Sequence, residues 1–278
     1  GPWQKYVAYG IGQEQLSGMA YMTGYTNEGP MKSGINHGDP ITGSHAAGVL
    51  LAALRYRRRT GEGMFIDVSQ QESAVSLIGG PLLAYQMTGQ EPDRIGNRSP
   101  NIAPHNCYPC HGEDRWVTIA IKSDQEWELL AESMEAEHLS KDPRFSTNAS
   151  RLANEDDLDA LIKEWTSNKD AYEITEKLQY HGISAMPVFR GPDLLENPHY
   201  RDRSTFVEVN HPQVGPKMYP GMPWKMSETP GFVHWPAPTL GEHNYQIYHE
   251  LLGLSTNEIS NLEQSGVIGT KPTGSRII

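Results

Sequence analysis

From Thr42 to about Arg59 apolar residues recur at helical spacing, with Ala46, Ala47, Val49, Leu50, Leu51, Ala53 and Leu54 on successive turns. The pattern predicts a mostly buried helix. Its last turn, Arg57-Arg58-Arg59, places positive charge where the helix dipole favours it. Thr60-Gly61-Glu62-Gly63 breaks the pattern, and Met64-Phe65-Ile66-Asp67-Val68 reads as a short strand of aromatic and β-branched residues. Residues 70–88 read as a second helix rich in small apolar side chains. Helix, strand and helix in succession are an α/β pattern. Ahead of it, residues 1–37 mix aromatics and glycines and read as loop and helix, ending at Gly24.

Residues 90–113 carry prolines at 92, 100, 104 and 109, a composition suited to a crossing into a second domain. Beyond it, Trp116–Ile121 predicts a strand, and Asp124–Met134 a helix with Trp127, Leu129 and Leu130 facing a core. Residues 151–181 predict two polar helices, with Leu158, Leu161, Ile162 and Trp165 on the first and Ala171, Ile174 and Leu178 on the second. Residues 182–188 predict a turn and strand. Residues 196–238 are rich in proline and glycine and hold a short strand at Phe206–Val209. Gly241–Gly253 and Thr256–Glu263 predict short closing helices. There is no internal repeat.

Composition narrows the class. The chain has 278 residues, 37% hydrophobic and 21% charged, with a formal net charge of -11. That balance describes a globular protein and argues against nucleic acid or an anionic membrane surface as the main partner. No apolar run approaches the ~18 residues that a membrane span requires. Two cysteines do not make a disulfide framework. With an N-terminus that lacks a signal-peptide pattern, these features point to a cytoplasmic location.

Three groups of residues invite chemistry. Asp39, in Gly38-Asp39-Pro40-Ile41-Thr42-Gly43, stands at an expected strand-to-helix turn. It reads first as a helix N-cap, and secondly as a carboxylate held ionised by the free N–H groups of the first turn and aimed at an electrophile. His37 and His45 flank it as candidate bases. Cys107-Tyr108-Pro109-Cys110-His111, with His105 beside it, matches a haem-attachment spacing and invites a zinc reading. No second Cys/His pair follows and no export signal precedes it, so two reduced cysteines on a loop are expected and no metal site. Walker, Rossmann, G-x-S-x-G and H-E-x-x-H motifs are all absent from the sequence.

The run Gly38–Gly43, then Ala46-Ala47-Gly48, Leu51–Leu54, Arg57, Arg59-Thr60-Gly61-Glu62-Gly63 and Asp67-Val68-Ser69, resembles the family III CoA transferases. That group contains formyl-CoA transferase, carnitine CoA-transferase and alpha-methylacyl-CoA racemase. The likeness continues at Gly96-Asn97-Arg98, Tyr108-Pro109-Cys110, Gly182-Ile183, Pro187-Val188, Pro198, Arg201, Pro236–His243 and Leu251-Leu252-Gly253. It implies an α/β fold: part of a Rossmann-like large domain over residues 1–95, a smaller α+β domain over 96–205, and a return to the large domain over 206–278. It implies an interlocked homodimer.

The resemblance also implies a chemistry. Asp39 would be the catalytic nucleophile, attacking an acyl-CoA thioester and passing through a mixed anhydride and an aspartyl-CoA thioester before a carboxylic acid acceptor takes the CoA. Gly38 would provide oxyanion and backbone support. Tyr6 and Tyr9 would lie against coenzyme A, which enters as a substrate with no tightly bound cofactor. The racemase branch has a histidine where this chain has Tyr9, and a phenol of pKa near 10 is poorly matched to carbon-acid deprotonation. CoA transfer is therefore expected over racemisation or isomerisation. A run of glycines that marks oxalate-specific members is absent between Asn97 and Trp116, which leaves the acceptor acid open. Relative to the family pattern the chain starts late, so a missing N-terminal segment with much of the CoA cradle is expected. A fragment without catalysis is the reading from another class.

Overall fold

A computed structural model describes residues 1–272, in two compact units, one over Gly1–Val188 and one that begins at Phe189. The first unit opens with α1 (Gly10–Leu16) and α2 (Met19–Met22). It continues with the long α3 (Gly38–Thr60), then α4 (Gln70–Val75) and α5 (Gly79–Thr88). Gly61 closes α3 in the left-handed region at φ 79°, its N–H returning to the Arg57 carbonyl, a conformation that costs glycine little. Ser69 caps α4 by accepting from the Glu72 N–H.

Several sequence expectations change here. Residues 62–69 form no regular secondary structure, and Phe65 is 92% exposed, so the expected strand at 64–68 is not formed. β-Branched and aromatic content fits a pleated surface, but a strand exists only where a neighbouring backbone completes its hydrogen bonds. The helix expected over 70–88 is two helices joined by a 3-10 turn at Ser76–Ile78. Nor is α3 mostly buried: Val49, Leu50, Leu51 and Leu54 are exposed, Leu51 at 68%. Helical period identifies an apolar face and leaves open what covers it.

The hydrophobic core lies further along the same unit. Strands β1 (His105–Pro109) and β2 (Trp116–Ala120) pair antiparallel, with Tyr108 opposite Val117. Helix α6 (Asp124–Ser133) follows, capped by Ser123. Then come α7 (Asn148–Ala153), α8 (Glu155–Thr166), α9 (Ala171–Tyr180) and strand β3 (Ser184–Pro187). β3 pairs antiparallel with β2, giving the order β1-β2-β3. Val117 and Ile119 of β2, Trp127 and Leu130 of α6, Leu158 and Ile162 of α8, and Ile174 and Leu178 of α9 are fully or almost fully buried. At roughly 1.5–3 kcal/mol for each fully buried large apolar side chain, this cluster is the main source of cohesion in the unit.

The second unit contains α10 (Gly191–Glu196), α11 (Pro198–Asp202) and a hairpin of β4 (Phe206–His211) and β5 (Gly215–Pro220). A π-helical turn, Gln246–Leu251, precedes α12 (Thr256–Gln264). Strands and helices are thus mixed, as expected, and both sheets among the described residues are antiparallel.

Candidate active site

Asp39 lies in the first turn of α3, where negative charge is favoured. It is not the N-cap that the sequence suggested. His37 occupies that position, without a side-chain capping bond, and irregular chain rather than a strand leads into it. The Asp39 carboxylate instead faces Gln70 at the start of α4, whose amide Nε2 donates to Oδ1 at 2.8 Å. Gln70 Oε1 in turn accepts from Gln13 Nε2 of α1 at 2.6 Å. Three helices therefore converge on one exposed carboxylate through two amides.

The amide orientations follow from the acid. An ionised carboxylate only accepts, so Gln70 must turn its N–H₂ toward Asp39 and its oxygen toward Gln13. Gln13 must then donate. Its own oxygen is left buried without a hydrogen-bond partner, on a residue only 7% exposed. Such an orphan acceptor costs about 1–3 kcal/mol. Gly38 makes room for this amide: a Cβ there would overlap Gln13 Oε1. The Gly38 carbonyl accepts from Thr42 Oγ1 at 2.6 Å.

The turn before α3 is fixed from below by Glu14. Its Oε1 accepts from the Ser33 hydroxyl at 2.6 Å and the His37 N–H at 2.9 Å, and its Oε2 from the Ser33 N–H at 3.0 Å. Burial by itself would raise the Glu14 pKa. The Ser33 hydroxyl and the two backbone N–H groups, with His37 nearby, outweigh it and hold the carboxyl below its ordinary value. Gly10 packs closely on Asn36, which ties α1 to the same turn.

Of the other candidates, His37 is half-buried and His45 exposed, and among the described residues no hydrogen bond links either ring to Asp39. Six helical positions also turn His45 roughly 120° away from Asp39. Tyr6 and Tyr9 are exposed; Tyr6 stacks on Trp3, and Tyr9 precedes α1. Gln13, Glu14 and Gln70 escaped the sequence reading because amides and a lone glutamate carry no motif. The usable signal was Ser69-x-x-Glu72, a capping pattern that places Gln70 in a first helical turn beside the matched Asp67-Val68-Ser69.

A second feature surrounds Gly96-Asn97-Arg98. Asn97, Arg98, His105, Cys107, Thr118 and Ser184 line a cavity of about 580 Å³. Arg98 binds Asp156 at 2.6 Å and Asp159 at 2.7 Å, and Asp159 also accepts from the Tyr108 hydroxyl at 2.7 Å. Burial opposes the Arg98 charge, but these carboxylates raise its pKa further above the ordinary value. Cys107 and Cys110 are both free thiols. Burial raises both, Cys110 to about 11 with help from Asp170 and Cys107, so neither is a thiolate near neutral pH. Among the described residues no group of three or more His, Cys, Asp or Glu side chains is arranged to hold a metal ion. No helix among them is long and apolar enough to cross a membrane.

Comparison with known proteins adds an independent line. The family model described as CoA-transferase family III matches residues 1–244. Succinyl-CoA--D-citramalate CoA-transferase of Chloroflexus aurantiacus is 32% identical over 96% of this chain and 66% of its own length. Formyl-CoA:oxalate CoA-transferase of Streptomyces coelicolor is 31% identical over 96% of this chain and 68% of its own length. The crystal structure of a CAIB/BAIF family protein from Brucella suis superposes with a TM-score of 0.80 at 28% identity, covering 90% of this chain and 65% of that one. The chain thus spans about two thirds of the length of the relatives it matches.

Proposed function

The chain belongs to CoA-transferase family III, and from that membership we propose that it serves an enzyme moving coenzyme A from an acyl-CoA thioester to a carboxylic acid, with Asp39 as nucleophile. The observation that carries the reading is the exposed Asp39 carboxylate, oriented by Gln70 in the first turn of α3. One oxygen of Asp39 attacks the thioester carbonyl, the carbon–sulfur bond breaks, and a mixed anhydride and CoA thiolate form. The thiolate attacks the aspartyl carbon and expels the donor acid, leaving an aspartyl-CoA thioester. An acceptor carboxylate displaces the thiolate, which then takes the acceptor acyl group and regenerates the Asp39 carboxylate.

The backbone of Gly38 provides oxyanion support at the opening of α3. The exposed faces of Tyr6 and Tyr9 suit contact with coenzyme A. Coenzyme A is a substrate here, and no further cofactor is needed. The names of the Chloroflexus and Streptomyces relatives pair a CoA thioester with a dicarboxylic acid, so short dicarboxylates are the acceptors to screen first. We assign a homodimer, in keeping with the exposed apolar residues of α3 and α5, and a cytoplasmic location, in keeping with two free thiols.

The test is chemical. Incubation of the full-length protein with an acyl-CoA and hydroxylamine, followed by peptide mass analysis, is expected to place an adduct on Asp39. An unmodified Asp39 in a protein that turns over would sink the nucleophile role.

A further inference from the structure

We propose that the Gln70 side-chain amide is the oxyanion donor at the aspartyl carbon, and that Gln13 positions it. This rests on Asp39 being the nucleophile. Gln70 Nε2 already lies 2.8 Å from Asp39 Oδ1, within the reach such a donor requires. The other carboxylate oxygen, Oδ2, is then the attacking atom. In the resulting anhydride Oδ1 becomes the aspartyl carbonyl oxygen and still faces the amide.

The demand on that amide rises in two steps. When the CoA thiolate attacks the aspartyl carbon, the carbonyl electron pair moves onto Oδ1. Collapse restores the carbonyl and breaks the bond to Oδ2, which leaves with the donor acid as its carboxylate. When the acceptor carboxylate attacks the aspartyl-CoA thioester, charge returns to Oδ1, and collapse expels the thiolate. Both tetrahedral intermediates carry their negative charge on the atom that Gln70 contacts. A donor aimed there stabilises charge that is larger in the transition state than in the anhydride or thioester, which is the condition for accelerating a step.

Gln13 supplies the second, independent observation. It is buried, it donates to Gln70 Oε1 at 2.6 Å, and its own oxygen has no partner. Turning both amides over would pair that oxygen with the Gln70 N–H₂ but would point the Gln70 oxygen at the Asp39 carboxylate, acceptor against acceptor. The chain keeps the arrangement in which Gln70 donates and leaves the buried acceptor unpaired. Gln13 is thus a positioning residue, acting through Gln70.

The experiment measures single-turnover formation of the aspartyl-CoA adduct in the full-length protein, with steady-state kcat and KM beside it. Gln70→Met keeps size and neutrality but removes the donor; Gln70→Ala removes the side chain. Both are expected to slow adduct formation and kcat by ~100-fold while KM for the acyl-CoA moves by less than about threefold. Gln13→Leu is expected to cost ~10-fold, and the Gln13→Leu/Gln70→Met pair to be no slower than Gln70→Met alone, because both act through one contact. Gln70 is exposed, so the melting temperature of Gln70→Met should hold, and that variant decides if Gln70→Ala folds poorly. Rates within twofold of the parent in Gln70→Met, or additive losses in the pair, would overturn the donor role. Turnover retained by Asp39→Asn would overturn both this role and the nucleophile; an inactive Asp39→Asn beside a full-rate Gln70→Met would overturn this role alone.

Discussion

Glu14 and Gln13 are neighbours on one helix, and each is buried for a different purpose. Glu14 receives three hydrogen bonds and organises the chain from Ser33 to His37, while Gln13 carries an unpaired oxygen to hold Gln70. The depressed pKa of Glu14 has a definite sign. The folded state binds its proton less tightly than the unfolded chain, so its contribution is present above the unfolded carboxylate value and is lost as pH falls through the lower folded value. Glu14→Gln is therefore expected to lower the melting temperature at neutral pH and to converge with the parent protein in acid. Melting curves from about pH 7 down to about pH 3 bracket the ordinary glutamate value and check it. Parallel curves over that range would remove the stabilising role. None of this was legible in the sequence, because a glutamate shows its partners only after the loop has folded back onto α1.

At the scale of elements, the junction of β1 with α8 carries the opposite case. Glu155, at the start of α8, lies 3.6 Å from Arg98 through Oε2, while its buried Oε1 has no hydrogen-bond partner. Burial raises its pKa, Arg98 opposes that shift, and Asp159 and Asp156 reinforce it. A raised carboxyl pKa contributes stability that is present below the unfolded value and is lost as pH rises through the folded value. Glu155→Gln is accordingly expected to raise the melting temperature at neutral pH, with the gain vanishing near pH ~4. A loss of stability at neutral pH would show that attraction to Arg98 outweighs burial. Helix α7 joins this region through Arg151, which is fully buried. Its Nε donates to the Ala103 carbonyl at 2.7 Å and its Nη1 pairs with Asp124 at 2.9 Å. Helices α6, α8 and α9 were readable from their apolar spacing because their partners belong to the same compact core. The strand at 64–68 was misread because its residue types suited a sheet that the described chain does not provide there.

At the scale of the whole molecule, exposed Val49, Leu50, Leu51 and Leu54 on α3 and Leu82 and Leu83 on α5 bear on the homodimer proposed above. Sedimentation of the full-length protein is expected to give twice the monomer mass, and Leu51→Glu to shift the equilibrium toward monomer, since burying an unpaired charge is strongly unfavourable. A monomeric parent protein would reject the assignment. Sequence by itself determined the helices around the core, the mixed α/β class, the family motifs and the focus on Asp39, because periodicity, capping and motif spacing are written in neighbouring residues. Only the tertiary structure decided that Asp39 is held by Gln70 and Gln13 rather than acting as a cap, that the missing Cβ of Gly38 makes room for an amide, and that α3 exposes its apolar face. Those outcomes depend on which side chains separate stretches of chain bring together, and hydrogen-bond partners 31 and 57 positions apart leave no local trace.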